Sequence, residues 1–325
     1  MNTQRLLVQA LAEAAPKLGV QHHAFSADWV QVITTPQGQR HFIMGYKWPL
    51  NTVGSSMLAD DKYATSVVLA HAGVPCVEHY LFLRRDFTDE TLDLDKLLTE
   101  LRIAAARIGY PVVVKNNHGV GGEGVYLVET ERKLNFRVTQ MFSKYRGVAI
   151  SALFDAPYEY RLVVLNRQVL LVFKKVRAKV VGDGVHTLAE LALAPQGPMA
   201  HIADHKKDAW LASIEDAAHQ IIPVGQTAAL EWRHNLAYGA QPEVITPENP
   251  VYASLADIAI RATQAMSLNF CTVDILQSQS GELKVLEVNS GVSVEKFAEV
   301  MGEEGLKTAK KIYQQALKAL VQTKA

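Results

Sequence analysis

The sequence predicts a protein of the mixed α/β (α+β) class. Segments with helical periodicity alternate along the chain with short runs typical of strands, hydrophobic residues make up 49% of its 325 residues, and the formal net charge is zero. A chain of this length and composition can bury a sizeable core. The combination of low hydrophobicity and high net charge that marks disordered chains is absent.

Composition also excludes several classes of function. Lys plus Arg and Asp plus Glu both number 33, which argues against a nucleic-acid partner held by bulk charge. Two cysteines, Cys76 and Cys271, cannot form a disulfide scaffold and fit a reducing compartment. No apolar run reaches membrane-spanning length, so we expect no membrane partner. The N-terminal stretch is interrupted by Gln9 and Glu13, which favours an amphipathic helix over a signal peptide and a cytoplasmic location.

Proline and glycine mark the ends of the elements in the first half of the chain. An N-terminal helix is expected to stop before Pro16, a second over 61–72 at Gly73, and a third over 92–108 at Gly109. Short runs rich in β-branched and aromatic residues predict strands at Trp29–Thr34, His41–Met44, Val112–Val114 and Val125–Val128.

In the second half, Thr187 and Glu190 form a capping-box pattern that opens a helix. Residues 194–228 are polar and irregular, which predicts a loop or inserted lid. Lys174, Lys175, Arg177 and Lys179 form a basic run, either a solvated face or a contact for phosphate or an acidic substrate. Helices are expected at 254–267 and 306–321, and strands at Tyr160–Leu165, Val169–Val176, Phe270–Gln277 and Glu282–Asn289.

A glycine-rich segment follows the lysine at position 115. Gly119, Gly121 and Gly124 satisfy the G-x-G-x-x-G spacing, but they lead into a strand pattern rather than a helix, which argues against a dinucleotide site. No Gly-Lys-Ser/Thr follows, which excludes a Walker A loop. Glycines still allow backbone N–H groups to approach phosphate, and Lys115 adds a positive charge. A flexible hairpin without a ligand is the alternative.

A second motif places acidic and amide side chains in apolar strands. If Ser278 pairs with Leu283, Asp274 lies opposite Glu287, and Asn289 shares the face of Glu287. The opposite face then carries the aliphatic residues Val273, Ile275, Leu286 and Val288. Oxygen donors of this kind suit Mg²⁺. The alternatives are a half-exposed polar face and a glycosidase-like pair of acids, although such a pair leaves Asn289 unexplained.

The order of these motifs resembles the ATP-grasp superfamily over about residues 50–300: Lys62 at a helix start, Lys115 at a strand end, the glycines, Tyr160-Arg161, and then Asp274 with the Glu287-Val288-Asn289 segment. Residues 180–191 are similar to the ATP-grasp part of cyanophycin synthetases, and the glutamate-ligase and glutathione-synthetase branches are similar at lower resolution. The resemblance implies two α+β subdomains that clasp ATP, plus a small N-terminal domain. We therefore expect an N-terminal region at 1–57, a glycine-loop subdomain at 58–148 and a metal-site subdomain at 149–325.

The resemblance also implies roles for individual residues. Lys62 and Lys115 would hold the ATP phosphates, and Arg161 and Arg233 would meet the transferred phosphoryl group. Asp274, Glu287 and Asn289 would bind two Mg²⁺ ions, or Mn²⁺ in their place. The phosphate cover would comprise His118, Gly119, Gly121, Gly122 and Gly124, and the hinge that binds adenine through its backbone would include Ser151 and Leu153. The hinge glutamate found in many members is missing here.

The reaction implied by the resemblance is ATP-dependent ligation of a carboxylate to an amine through an acyl phosphate, on an amino acid or peptide. Phosphoryl transfer needs positioning and charge neutralisation rather than a protein nucleophile, in agreement with these residues. A kinase of a small hydroxyl substrate and a nucleotide-binding regulatory protein without turnover are the alternatives. Dimers are common in the superfamily, so a homodimer is in keeping with it, although the sequence leaves the oligomeric state open.

Overall fold

The computed structural model describes residues 4–84, 94–119, 121–122, 124–200 and 202–322. Helices and strands alternate along these residues, which confirms the predicted mixed α/β class. Within the described ranges, the strands form antiparallel sheets of three, four and five strands and a two-stranded ribbon. No helix in this part of the chain is long and apolar enough to cross a membrane.

The N-terminal unit consists of helix α1 (Leu6–Ala14) and a three-stranded sheet. Helix α1 ends before Pro16, as predicted. The sheet contains β1 (Gln21–Phe25), β2 (Val30–Thr34) and β3 (Arg40–Met44) in this order. Leu7 and Leu11 of α1 are fully buried in a core shared with the C-terminal helix, so this unit packs onto the end of the chain.

Two short helices connect the N-terminal unit to the rest of the molecule. Helix α2 (Val53–Asp60) is followed by α3 (Lys62–His71) after a single residue. Asp61 caps α3, because its carboxylate accepts a hydrogen bond from the Ala64 backbone N–H at 2.8 Å. This cap fixes Lys62 as the first residue of α3.

The four-stranded sheet carries the strand that ends after Lys115. Helices α4 (Leu94–Ile108) and α5 (Glu131–Phe142) cover one of its faces. Residues 92–93, the predicted start of α4, lie outside the described residues. The strands, in spatial order, are β4 (Tyr80–Leu83), β7 (Gly147–Ala152), β5 (Val112–Asn116) and β6 (Val125–Val128). Lys115 and Ser151 project from the face that the helices leave open, since Val112, Val114, Val148 and Ile150 face the helices.

The five-stranded sheet is covered on both faces. Helix α8 (Tyr252–Ala265) packs on one face, and α1 and α9 (Glu295–Gln322) pack on the other. Its strands, in spatial order, are β12 (Gln241–Val244), β9 (Gln168–Val176), β8 (Tyr158–Leu165), β13 (Phe270–Gln277) and β14 (Leu283–Asn289). Helix α9 starts eleven residues before the predicted Leu306 (306 − 295 = 11) and is interrupted at Gly302, which has a φ of +62°.

The remaining unit corrects one prediction. Residues 194–228 were expected to be irregular, but they contain helix α7 (Asp204–Ile214), which buries Trp210 completely. Trp210 Nε1 donates a hydrogen bond to the Leu230 carbonyl at 2.8 Å. A single large aromatic anchors α7, so its sequence lacks the apolar period that would reveal a helix. The unit also contains β10 (Lys179–Val181), α6 (Leu188–Leu193) with the predicted capping box, and β11 (Thr227–Ala229).

Candidate active site

The hairpin of β13 and β14 places two carboxylates opposite each other. Asp274 pairs with Glu287, as predicted. The predicted pairing of Ser278 with Leu283 is wrong, because Leu283 pairs with Gln277 instead. The two strands are therefore shifted by one residue at the turn and return to the expected register only at the carboxylates.

A β-bulge accounts for this shift. The register changes between Asp274 and Ile275, where β14 contains one extra residue, Leu286. Ile275 pairs with Val285, and Val285 occupies the core position that the sequence assigned to Leu286. Leu286 is half-buried instead. A one-residue slip without a bulge would have turned Glu287 to the other face of the sheet.

Asp274 lies in a network of buried charges. Arg161 on β8 donates to both of its oxygens, with Nε 2.7 Å from Oδ1 and Nη2 2.6 Å from Oδ2. Lys175 on β9 donates to Oδ2 at 3.0 Å and also contacts the Glu159 carboxylate. Arg161 Nη2 lies 3.8 Å from Glu287 Oε1, so the guanidinium stands between the two carboxylates of the hairpin.

This network keeps Asp274 ionised. Burial by itself would raise the pKa of Asp274, but the charges of Arg161 and Lys175 outweigh burial and hold that pKa below its usual range. Burial also raises the pKa of Glu159, against the opposing charge of Lys175. Removing one member would leave another charge buried without its partner, the costly case for ion pairs.

Glu287 and Asn289 form the more open part of the carboxylate site. Both are half-buried, and Asn289 Nδ2 donates to Glu287 Oε1 at 3.0 Å. This contact turns the amide oxygen of Asn289 away from the carboxylate. Within the described residues, no three His, Cys, Asp or Glu side chains form a group that could hold a metal ion. Asp274, Glu287 and Asn289 together fit Mg²⁺ by the chemistry of their donors.

Lys62 faces the same site from α3. Its Nζ donates to the backbone carbonyls of Gly119 at 2.5 Å and Asn117 at 3.4 Å. A narrow cleft that contains Lys62 and Gly119 is also lined by Glu287 and Asn289. Burial lowers the pKa of Lys62, and the negative charge of Glu287 opposes that shift.

The glycine loop, defined here as residues 119–124, reaches across to the C-terminal half of the chain. Arg233 Nη1 donates to the Gly122 carbonyl at 2.9 Å, and Asn235 Nδ2 donates to the Gly121 carbonyl at 3.1 Å. Gly121, Gly122 and Gly124 have φ values of +67°, +82° and +65°, a region that side chains disfavour. Residues 120 and 123 lie outside the described residues. The glycine loop is thus held in place by hydrogen bonds that its backbone carbonyl oxygens accept from Arg233 and Asn235.

Lys115 is almost completely buried, with 7% of its surface exposed. Its Nζ lies 3.0 Å from Nε2 of His79. Burial lowers the pKa of Lys115 to about 8, while the charge of Glu287 opposes the shift. The charge of Glu287 thus opposes the lowering of the pKa of both predicted phosphate-binding lysines.

The other predicted residues lie around this centre. Ser151 is fully buried at the end of β7, and its Oγ has no hydrogen-bond partner among the described residues. Leu153 follows directly after β7. The His118 ring is largely exposed, and its Nδ1 lies 3.2 Å from the Asp60 carbonyl oxygen. Arg233 contacts the glycine loop, whereas Arg161 contacts the carboxylates, so the two arginines lie in different parts of the site.

The structure adds four residues to the predicted set. Lys175 belongs to the basic run for which the sequence left open a solvated face or a contact for phosphate or an acidic substrate. In the structure Lys175 is buried rather than solvated. Glu159 lies between Tyr158 and Tyr160, and Lys175 follows another lysine, so neither has the two aliphatic neighbours that single out Asp274. His79 and Asn235 reach the site by tertiary contacts that no local pattern announces.

Two family models match the chain. A RimK-like ATP-grasp domain matches residues 217–315, and the ATP-binding domain of the carbamoyl-phosphate synthase L chain matches residues 61–191. The two matches include both lysines of the site, Asp274, Glu287 and Asn289. Both are ATP-binding domains, and they follow each other along the chain.

Curated relatives are similar over parts of their length. The glutathione biosynthesis bifunctional protein of Listeria welshimeri is 32% identical over 129 residues, which cover 36% of this chain and 16% of that protein. The D-alanine–D-alanine ligase of Desulforudis audaxviator is 27% identical over 251 residues, which cover 76% of this chain and 63% of that ligase. The cyanophycin synthetase of Crocosphaera subtropica is 30% identical over 138 residues, which cover 41% and 14%. This chain therefore spans less than two thirds of each relative.

A solved structure shows the same fold. The bifunctional glutathione synthetase from Pasteurella multocida superposes with a TM-score of 0.56 at 20% identity, covering 98% of this chain and 44% of that protein. This likeness shows the fold, and the family models identify residues 217–315 as an ATP-grasp domain and residues 61–191 as an ATP-binding domain. The prediction made from the sequence motifs is confirmed.

Proposed function

We propose that this protein is an ATP-dependent carboxylate–amine ligase that forms an amide or peptide bond through an acyl phosphate. The observation that carries the proposal is the cleft that Lys62 shares with Glu287, beside Arg161, which pairs with Asp274 and lies 3.8 Å from Glu287. Relatives that are ligases and synthetases of amino acids and peptides support it. The substrates proposed are an amino acid or short peptide and an amine, without a nucleic-acid or membrane partner.

ATP would lie between the four-stranded and five-stranded sheets. The backbone around Ser151 and Leu153 would bind adenine, and Lys62 and Lys115 would bind the phosphates. Lys62 and Arg233 donate to carbonyl oxygens of the glycine loop, and phosphate oxygens can compete for these donors. His118 and the loop glycines would complete the cover over the phosphates.

Asp274, Glu287 and Asn289 would hold Mg²⁺. We propose two ions, which Mn²⁺ can replace. Bound there, the metal would neutralise negative charge on the phosphates. Arg161 holds Asp274 ionised and in a fixed orientation for this role by its paired hydrogen bonds.

The reaction would proceed in two steps. A carboxylate oxygen of the first substrate attacks the γ-phosphorus of ATP, the bond to the β–γ bridging oxygen breaks, and ADP leaves. The amine nitrogen of the second substrate then attacks the acyl carbon, and the tetrahedral intermediate expels inorganic phosphate while the nitrogen loses a proton. Arg161 and Arg233 would stabilise the negative charge on the phosphoryl group in the first step. We also propose that the protein is located in the cytoplasm and forms a homodimer.

ADP release with Mg-ATP across amino acids and dipeptides, each alone and in pairs, tests the proposal. A ligase releases ADP rapidly only when carboxylate and amine are both present. A stable phosphorylated product from one hydroxyl acceptor would replace the ligase with a kinase. ATP binding without ADP release across amino acids, peptides and polymers would identify a regulatory protein.

Glu287→Gln removes the carboxylate charge with little change of shape, and we expect ADP release to fall at least about 100-fold because metal binding is lost. Glu282→Gln is the matched control, since Glu282 lies just before β14, is exposed and contacts only Lys284 among the ion pairs. Equal rates in the two variants would contradict the assigned metal site.

A further inference from the structure

His79 is a buried histidine that no part of the proposed reaction uses. Only 5% of its surface is exposed, and it lies immediately before β4. Strand β7 separates β4 from β5, yet the His79 ring reaches Lys115 on β5, with Nε2 3.0 Å from Nζ. The β7 residue that pairs with Lys115 is Ala149, whose small side chain leaves room for this contact.

The direction of this hydrogen bond follows from the chemistry of the two groups. A lysine ammonium can only donate, so Nε2 of His79 accepts from it. The ring proton is then assigned to Nδ1, which has no hydrogen-bond partner among the described residues. Burial lowers the pKa of His79 well below its ordinary value, and the positive charges of Lys115 and Lys62 lower it further. The ring is therefore neutral at pH 7, as an acceptor must be.

A lysine side chain has a flexible four-carbon stem and three donor hydrogens. With one hydrogen directed to His79, the Lys115 ammonium is fixed near the end of β5 and keeps two donors for a ligand. Lys115 lies on the sheet face that α4 and α5 leave open, the face that also carries the unpartnered Oγ of Ser151. His79 also occupies the buried side of Lys115, so the lysine side chain cannot turn back toward that side.

We propose that His79 is a positioning residue for nucleotide binding, which holds the Lys115 ammonium in place for the phosphates of ATP. This inference rests on the proposed function, because it requires that ATP bind at Lys115. His79 acts through the lysine alone and does not contact the base or the ribose. Its removal therefore weakens ligands with phosphates and leaves adenosine unaffected.

The test compares the binding of ATP, ADP and adenosine by calorimetry and NMR titration in the full chain. His79→Leu removes the acceptor, and the Kd of ATP and of ADP is expected to rise about tenfold while that of adenosine stays unchanged. Thermal unfolding without nucleotide verifies that the variant is folded. Wild type that fails to bind ATP would overturn the proposed function; ATP binding that is equal in wild type and His79→Leu would overturn only this inference.

Two conservative variants separate positioning from packing. Gln places its amide oxygen near the position of Nε2, whereas Asn ends near the position of Nδ1. His79→Gln is expected to bind ATP within about twofold of wild type, and His79→Asn to resemble His79→Leu. A similar loss of ATP and adenosine binding in His79→Leu, or no rescue by Gln, would show that His79 merely fills space.

Discussion

The two halves of the site are held together in opposite ways. In the carboxylate half, charged side chains from three adjacent strands neutralise one another beneath the surface: Arg161 and Lys175 hold Asp274, and Lys175 also contacts Glu159. In the loop half, side chains of Lys62, Arg233 and Asn235 donate to backbone carbonyls of a glycine-rich turn. In the first half the fold itself pairs the buried charges, whereas the second half uses donors that a ligand can take over.

This difference indicates which half of the site is held rigid by the fold itself. Buried ion pairs are costly to break, so the position of Asp274 is fixed by the fold itself. Hydrogen bonds from lysine and arginine to surface carbonyls exchange readily with water or phosphate. Substitutions in the carboxylate half should therefore lower global stability, and substitutions in the loop half should change nucleotide binding.

The largest effect is expected from Lys175→Met, which leaves Glu159 and Asp274 buried without their shared cation. The free energy of unfolding should fall by about 3–5 kcal/mol, measured by urea denaturation at pH 7. Lys174→Met is the matched control on the same strand, since Lys174 pairs with the exposed Glu243 at 2.8 Å. That change should cost about 0–1 kcal/mol. Similar costs in both variants would contradict the conclusion that the buried ion pairs stabilise the carboxylate half.

The next effect concerns pH and Lys115. Because the pKa of Lys115 is lowered to about 8, its ammonium loses its proton as the pH rises through that value. ATP binds the charged form, so its affinity should be constant near pH 7 and fall by up to about tenfold per pH unit above pH 8, or about 2 kcal/mol at pH 9.5. Calorimetry between pH 7 and 9.5 measures this change. Adenosine binding is the control and should stay level, and a level profile for ATP as well would contradict the role of Lys115.

The smallest effect distinguishes two neighbouring glycines. Alanine at Gly121 or Gly122 adopts a left-handed conformation, which costs about 1–2 kcal/mol for the ordered loop. A Cβ at Gly122 would also lie 3.1 Å from Asn235 Nδ2, whereas one at Gly121 meets no atom within 4 Å. The KM for ATP should therefore rise more in Gly122→Ala than in Gly121→Ala, and urea denaturation verifies that both variants are folded. The reverse order would show that the contact with Asn235 does not support the loop.

Much of the carboxylate half could be predicted from sequence, because an acid between aliphatic residues in a strand is costly to bury unless it is paired or binds a metal. The pairing of Asp274 with Glu287 was correct although the turn register was wrong, since the bulge at Leu286 cancelled the error. Sequence could not reveal that bulge, as its extra residue is an ordinary leucine. Helix α7 was missed for a related reason, since Trp210 is the residue that it buries completely, and Leu211 and Ile214 are only partly buried.

The sequence by itself determined the fold class and the order of the main elements, because these depend on local periodicity, caps and turn residues. The order of its motifs also carried the resemblance to the ATP-grasp superfamily. Only the tertiary structure decided which charges neutralise one another and which donors hold the glycine loop. Those contacts join residues such as His79 and Lys115, or Arg233 and Gly122, that are 36 and 111 positions apart. Their energies come from burial and geometry, which exist only once the sheets have packed together.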